Sequence, residues 1–209
     1  MKIGLLVDGW AEYSGLPYLL ERIVSPHTIL RNPLRCDIQP FASPAQIAHV
    51  ASKSFPILLD RGADRILILM DKETRQDCTA ELAAAVEKEA QVRLDRSSGA
   101  EVRVILKVKM FENWFVADPE ALRGIAGRFE KVERIAKQVT PGRADAVDAL
   151  GLLKACSKDR TFDKPRDAAA ICKVLDPERA AANSRSFRKM LKELGVPQAP
   201  AGSARKQRR

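Results

Sequence analysis

The sequence predicts an α/β fold: a mainly parallel sheet with helices on both faces, followed by a helical C-terminal portion. Three observations predict it. Short apolar runs, Lys2–Val7, Arg65–Met70 and Val102–Val108, alternate with helical patterns, the signature of βαβ units. The first two runs lack the polar–apolar alternation of a half-solvated strand, so a parallel sheet covered on both sides is expected. Beyond Lys109 the strand-like runs stop, and helical and loop-like segments follow.

Lys2–Val7 reads as the first strand and ends in the loop Asp8-Gly9. Leu16, Leu19, Leu20 and Ile23 then recur at helical spacing, with Pro17 placed in a first turn, where a missing N–H costs nothing. The Thr28–Phe41 stretch contains Pro33 and Pro40 and holds one short strand. Ser43-Pro44 opens the next helix, with serine as the cap and proline at the first helical position. Its apolar face runs through Ile47, Val50, Ile57 and Leu58. Arg65–Met70 is the strongest strand and stops at Asp71. A helix rich in alanine, glutamate and leucine spans Thr79 to about Leu94, and Val102–Val108 is the last strand. Helices are expected over Pro119–Ile125, Arg166–Leu175 and Ser184–Leu194. The chain thus divides into an α/β core (1–118), a helical portion (119–194) and a basic, disordered tail (195–209).

Composition narrows the function. The 209 residues carry 36 basic and 27 acidic side chains, a formal charge of +9. The segment from Asn183 to Arg209 holds eight of the basic residues against one acid, Glu193. A concentrated basic end points to a polyanion, nucleic acid above all, or to a solubilising tail. No apolar run approaches the ~18 residues of a membrane span, and Asp8 interrupts the N-terminus too early for a signal peptide. Cys36, Cys78, Cys156 and Cys172 are scattered, without a CxxC pair, and the two histidines are His27 and His49. Zinc is therefore not expected, and reduced thiols in a cytoplasm are. The sequence contains no GxGxxG, no GxxxxGK[ST] and no GxSxG, so dinucleotide, P-loop and serine-hydrolase chemistries are set aside.

Carboxylates remain. Sites in open parallel sheets lie outside the carboxyl ends of the strands. Asp8 and Glu12 follow the first strand, Asp71 and Glu73 the third, Glu112 and Asp118 the fourth. If strands one and three are neighbours, Asp8, Asp71 and Glu73 share a pocket. Clustered carboxylates must take up protons, spread apart or bind a cation. Oxygen donors without histidine or thiolate favour Mg²⁺ or Mn²⁺, and such a metal can organise phosphoryl transfer. The spacing Asp71-x-Glu73 puts both side chains on one side if strand geometry continues. The plainer alternative is that each acid caps a helix or forms a turn.

Val7-Asp8-Gly9-Trp10-Ala11-Glu12 resembles the VEGxTE motif of Toprim domains, and Met70-Asp71-Lys72-Glu73 resembles their DxD motif. Phe111-Glu112-Asn113-Trp114-Phe115-Val116-Ala117-Asp118 and Ser184-Arg185-Ser186-Phe187-Arg188-Lys189 resemble the EAWFLAD-like and PSFRKL-like segments of a narrower group, domain of unknown function family 4276. Thr161-Phe162-Asp163-Lys164 resembles its Y-x-K segment. The resemblance runs from Met1 to about Leu194. It implies a Toprim-like, Rossmann-like sheet. It also implies that Asp8 is a general acid/base or first metal ligand, Glu12 the second acid of that motif, and Asp71 with Glu73 the metal pair. Glu112 becomes a further ligand or charge, while Trp114 and Phe115 read as core. Lys164 is a candidate phosphate contact or a solvated lysine, and Arg185, Arg188 and Lys189 form one face of the last helix, suited to phosphates or merely solvated. Two departures stand out: aspartate replaces the Toprim glutamate at Asp8, and glutamate replaces the second aspartate at Glu73.

The expected function is a cytoplasmic, Mg²⁺- or Mn²⁺-dependent phosphodiester hydrolase, a Toprim-like nuclease on DNA or RNA. By the same resemblance it works in phage defence beside an ATPase partner, with no membrane attachment. The alternatives are a non-catalytic module that binds nucleic acid or protein, and a phosphotransferase or phosphatase on a small phosphoester.

Overall fold

The computed structural model describes residues 1–197; the predicted tail lies, from 198 onward, outside the described residues. The central strands are β1 (Lys2–Val7), β4 (Arg65–Asp71) and β5 (Glu101–Lys107), with the two-residue strands β2 (Thr28–Ile29) and β3 (Leu34–Arg35) beside β1. The order is β2-β1-β4-β5, with β3 also paired to β1, and every pairing is parallel. The expected neighbours are neighbours: Ile3 pairs with Arg65 and Val7 with Leu69.

The apolar runs explain the two layers. Ile3, Leu5 and Val7 point to one face with Leu67, Leu69 and Ile105, and pack under α1 (Trp10–Arg22) and the C-terminal helices. Leu6, Ile66, Ile68, Met70, Val102, Val104 and Leu106 point to the other, under α2 (Pro44–Ser52), α3 (Phe55–Asp60) and α4 (Thr79–Arg93). Period-two alternation thus divides fully buried strands between two cores. Gly4 is small for a reason, since a Cβ there would lie 3.1 Å from Leu58.

Several helices differ from expectation. α1 starts at Trp10, so Pro17 lies inside it rather than in its first turn. The apolar face running from Ile47 to Leu58 is broken into α2 and α3, with Pro56 opening the second piece. The predicted cap of α2 is present as a full capping box between Ser43 and Gln46. The C-terminal portion consists of α5 (Glu112–Val116), α6 (Pro119–Arg123), α7 (Glu133–Val139), α8 (Ala149–Cys156), α9 (Lys164–Cys172), α10 (Pro177–Asn183) and α11 (Arg185–Glu193). It shares one apolar core with β1 and α1.

The two segments that mark the narrower group pack on each other. Trp114 is fully buried, stands edge-to-face on Phe187 at 5.1 Å, and donates Nε1–H to Ser186 Oγ at 2.8 Å. Asp145 locks the start of α11 by accepting from the Ser184 and Ser186 hydroxyls and from the Arg185 and Ser186 N–H groups, at 2.7–3.0 Å. Hydrogen bonds to a charged group contribute ~1.5–3 kcal/mol each, and a donor left buried without a partner costs ~1–3 kcal/mol. Asp145→Ala should therefore lower stability by about 3 kcal/mol, measured as a reduced urea midpoint. An unchanged midpoint would mean that solvent replaces the carboxylate.

Two predicted phosphate contacts belong to this packing. Lys189 Nζ donates to the Val104 carbonyl at 3.1 Å, while Gln91 and Glu87 accept from the N–H groups of Val102 and Val104. Side chains thereby occupy the free edge of β5, where an unpaired ladder invites association. Arg188 donates to the carbonyls of Ala181 and Ala182 at the end of α10. Both cations are engaged internally because α11 lies across β5 and against α10. Arg185 alone of the three keeps an exposed side chain with no partner among the described residues.

Candidate active site

β1, β4 and β5 end side by side, so their last residues meet. Asp71 and Lys107 are paired across β4 and β5. Asp8 follows β1, and its Oδ2 accepts the Asp71 N–H at 2.7 Å. Gly9 caps α1, and its missing Cβ leaves room for the Glu12 carboxylate one turn on; a Cβ would lie on Glu12 Oε2.

The centre of this site is a residue absent from the sequence-based candidates. Lys107 is completely buried, with Nζ 2.9 Å from Asp8 Oδ1, 3.2 Å from Asp71 Oδ1 and hydrogen-bonded to Glu12 Oε1. A buried ammonium is tolerated only when counter-charges surround it. The available signal was a lysine at the end of an apolar run, beside two other runs that end in acids.

Glu112, at the start of α5, is buried and joins from the other side. Its Oε1 lies 3.1 Å from Nζ of Lys164, the half-exposed first residue of α9. Four carboxylates thus meet two ammonium groups, a formal excess of two negative charges if every carboxyl is ionised. Two oxygens, Asp71 Oδ1 and Glu112 Oε1, are shielded from solvent and make no hydrogen bond. An ammonium stands beside each, Lys107 Nζ at 3.2 Å and Lys164 Nζ at 3.1 Å.

Burial opposes the charge on Lys107, but Asp71, Asp8 and Glu12 outweigh it and hold the ammonium well above the ordinary lysine value. Burial pushes the Asp71 carboxyl well up against the pull of Lys107, and Asp8, Glu12 and Glu112 push the same way. Glu12 is raised too, by burial first, against Lys107. At Lys164 burial again opposes the charge and Glu112 prevails, so that group is raised. The Asp71 side chain is 18% exposed and that of Asp8 9%, so solvent reaches the cluster there.

Asp8, Glu12 and Asp71 each bring an oxygen within 4.8 Å of the others. These are hard donors of the kind Mg²⁺ and Mn²⁺ take. Glu73 is not among them. The strand ends at Asp71, and Glu73 adopts φ +51° with its N–H on the Lys109 carbonyl, so strand alternation fails and the side chain is exposed. Lys109 has φ +65°. Two non-glycine residues in the left-handed region flank the strand ends, a form of strain that collects at functional sites.

Asp118 is also elsewhere. It is fully buried, caps α6 through the Ala121 N–H, and accepts the Arg179 guanidinium and the Asp176 N–H.

The sequence family described as "Domain of unknown function (DUF4276)" matches residues 7–195, from the last residue of β1 to the turn after α11. The chain belongs to the DUF4276 family. No curated protein and no solved structure matches this DUF4276 chain. The match takes in every residue of the cluster, from Asp8 to Lys164.

Beside the cluster, on the turn of α1 that carries Glu12, Trp10 and Tyr13 are exposed, 58% and 45% respectively. They meet edge-to-face at 5.7 Å, with the Arg35 guanidinium 4.5 Å from the Trp10 ring. The three buried thiols offer no rival chemistry. Burial pushes Cys36 up to about 12 and also raises Cys172 and Cys156. Among the described residues no helix is long and apolar enough to cross a membrane.

Proposed function

We propose that this protein is a divalent-cation-dependent phosphodiester hydrolase acting on nucleic acid. The observation that carries the reading is the cluster at the ends of β1, β4 and β5: four carboxylates against two lysines, with shielded oxygens of Asp71 and Glu112 held only by ion pairs. A residual charge of minus two among hard oxygens fits one divalent cation. When bound, such an ion polarises a phosphodiester and lowers the pKa of water.

The protein groups divide the remaining work. Lys107 fixes Asp8, Glu12 and Asp71 in place. Asp71 offers the cation a solvent-shielded oxygen, Asp8 and Glu12 complete the hard-donor set, and Glu112 adds negative charge beside them. Lys164 is placed to meet a phosphate beside Glu112, and Trp10 with Tyr13 offers a surface on which bases can stack. The Toprim resemblance of the Asp8 and Asp71 motifs supports the same chemistry. An ATPase partner and a role in phage defence rest on that resemblance alone.

The rival reading, a binding module without catalysis, is favoured by Lys107 itself, whose ammonium already stands where the carboxylates converge. Cleavage separates the two. Single- and double-stranded DNA and RNA incubated with the protein should be cut with Mg²⁺ or Mn²⁺ and left intact in chelator. Asp71→Ala and Glu112→Ala should each lose more than the ~10–100-fold typical of a supporting residue. Binding without cleavage under any metal would establish the rival.

A further inference from the structure

A second charged feature lies apart from the carboxylates, among α7, α8 and the loops beside them. Two segments run side by side there. Phe129 bridges antiparallel to Ser157, Glu130 N–H donates to the Cys156 carbonyl at 2.6 Å, and Lys158 N–H donates to the Arg128 carbonyl at 3.0 Å. They line a concavity of about 590 Å³ with Lys131, Arg134, Lys154, Lys158 and Arg160. All five side chains are exposed, and among the described residues none makes an ion pair or a side-chain hydrogen bond. Glu130 is the one acid of the lining.

Two neighbouring acids, Asp159 and Asp167, are committed to Arg128, while Glu133 stands beside Arg134 at the start of α7. Arg128 holds Asp167 in a two-pronged contact and takes Asp159 at 2.6 Å. The backbone adds a second observation. Lys131 and Arg160, one on each segment, both have φ +54°. A non-glycine residue in that region costs ~1–3 kcal/mol and persists where the surroundings impose it. Here the surroundings hold two long cations at a concavity whose lining sets five cations against the single acid Glu130.

We infer that this concavity binds the phosphates of a nucleic-acid backbone, as a docking site separate from the carboxylate cluster. The cations are spread over an open, polar surface with no buried donor to grip one small anion, so an extended polyanion fits better than a lone phosphate. The inference shares with the proposed function the choice of nucleic acid as the polyanion, but not the chemistry.

The test uses the full chain carrying Asp71→Ala, so that cleavage does not enter the measurement, with and without Arg134→Gln, Lys154→Gln and Lys158→Gln. Binding to duplex DNA is measured between 50 and 200 mM salt. Each lost phosphate contact flattens the slope of log affinity against log salt by ~0.9, so the triple variant should lose up to ~2.7, with at least a tenfold loss at fixed salt and an unchanged melting temperature. An unchanged slope and affinity, or no nucleic-acid binding by the Asp71→Ala chain, overturns the inference. So does loss of inorganic phosphate binding while nucleic-acid affinity persists, because the site would then serve a free anion. The nuclease reading fails separately, if the native chain never cuts while the slope still changes.

Discussion

Lys107→Met should melt about 6–20 °C below the native chain in metal-free buffer at neutral pH, and millimolar Mg²⁺ or Mn²⁺ should recover part of that loss. Methionine keeps the length and apolar stem of lysine and removes the ammonium. Asp8, Glu12 and Asp71 are then left together without their counter-charge. Removing one partner from a buried ionic cluster costs ~3–5 kcal/mol, and a chain of this size shifts by ~2–4 °C per kcal/mol. The pH dependence has a definite sign. Asp71 and Glu12 already have raised values in the folded state, and loss of Lys107 raises them further. A carboxyl whose folded pKa exceeds its unfolded pKa favours folding below the unfolded value, and loses that advantage as pH rises through the folded one. The deficit of the variant should thus shrink as the solution is acidified and be greatest above the raised values. Melting curves across pH, with and without metal, provide the measurement. A variant as stable as the native chain would mean that the carboxylates hold their own protons and that Lys107 neutralises nothing.

Asp71→Asn should act in the opposite direction. It removes one charge from a site where four carboxylates face two ammonium groups, and it keeps the Asp71 N–H that Asp8 accepts. In metal-free buffer the variant should melt a few degrees higher, a gain of about 1 kcal/mol. Its stability should also fall less steeply than that of the native chain as pH rises through the raised Asp71 value. With Mg²⁺ or Mn²⁺ at about ten times its dissociation constant, the native chain should gain ~1.4 kcal/mol by binding the folded state, and the variant little or nothing. Equal metal shifts in both proteins would place the ion outside this cluster and remove the support for a metal-dependent activity.

The two effects separate positioning from metal binding. Lys107 acts through the carboxylates it holds, so its loss shows first as instability that a cation relieves. Asp71 keeps an unsatisfied oxygen, so its loss shows first as a missing metal response. A cluster that is only a structural ion network predicts the first result without the metal rescue.

Local signals made most of the sheet readable. Lys2–Val7 and Arg65–Asp71 are apolar on both faces, so they had to be covered strands, and their pairing brings Asp8 beside Asp71. Ser43 with Pro44 marked the start of α2 locally, and the structure added Gln46 to that cap. Glu12 and Glu112 were recognisable as acids after strands, although their burial was not. The Glu73 prediction failed because strand alternation was extended past the strand end, where the backbone turns left-handed. Arg188 and Lys189 looked like a solvated basic face; their partners are carbonyls of α10 and β5.

Periodicity and capping are local, and the sequence by itself determined them: which runs are strands, where acids follow them, and that the basic excess is concentrated toward the C-terminal end. Charge pairing is not local. Lys107 is 95 residues from Glu12 and 99 from Asp8, and in sequence it resembles Arg103 or Lys109. Only the register of three parallel strands places its ammonium among the carboxylates. Only the packing of α5 and α9 adds Glu112 and Lys164. A lysine becomes a counter-ion through the distance to its partners and the water excluded around them, and tertiary structure decides both.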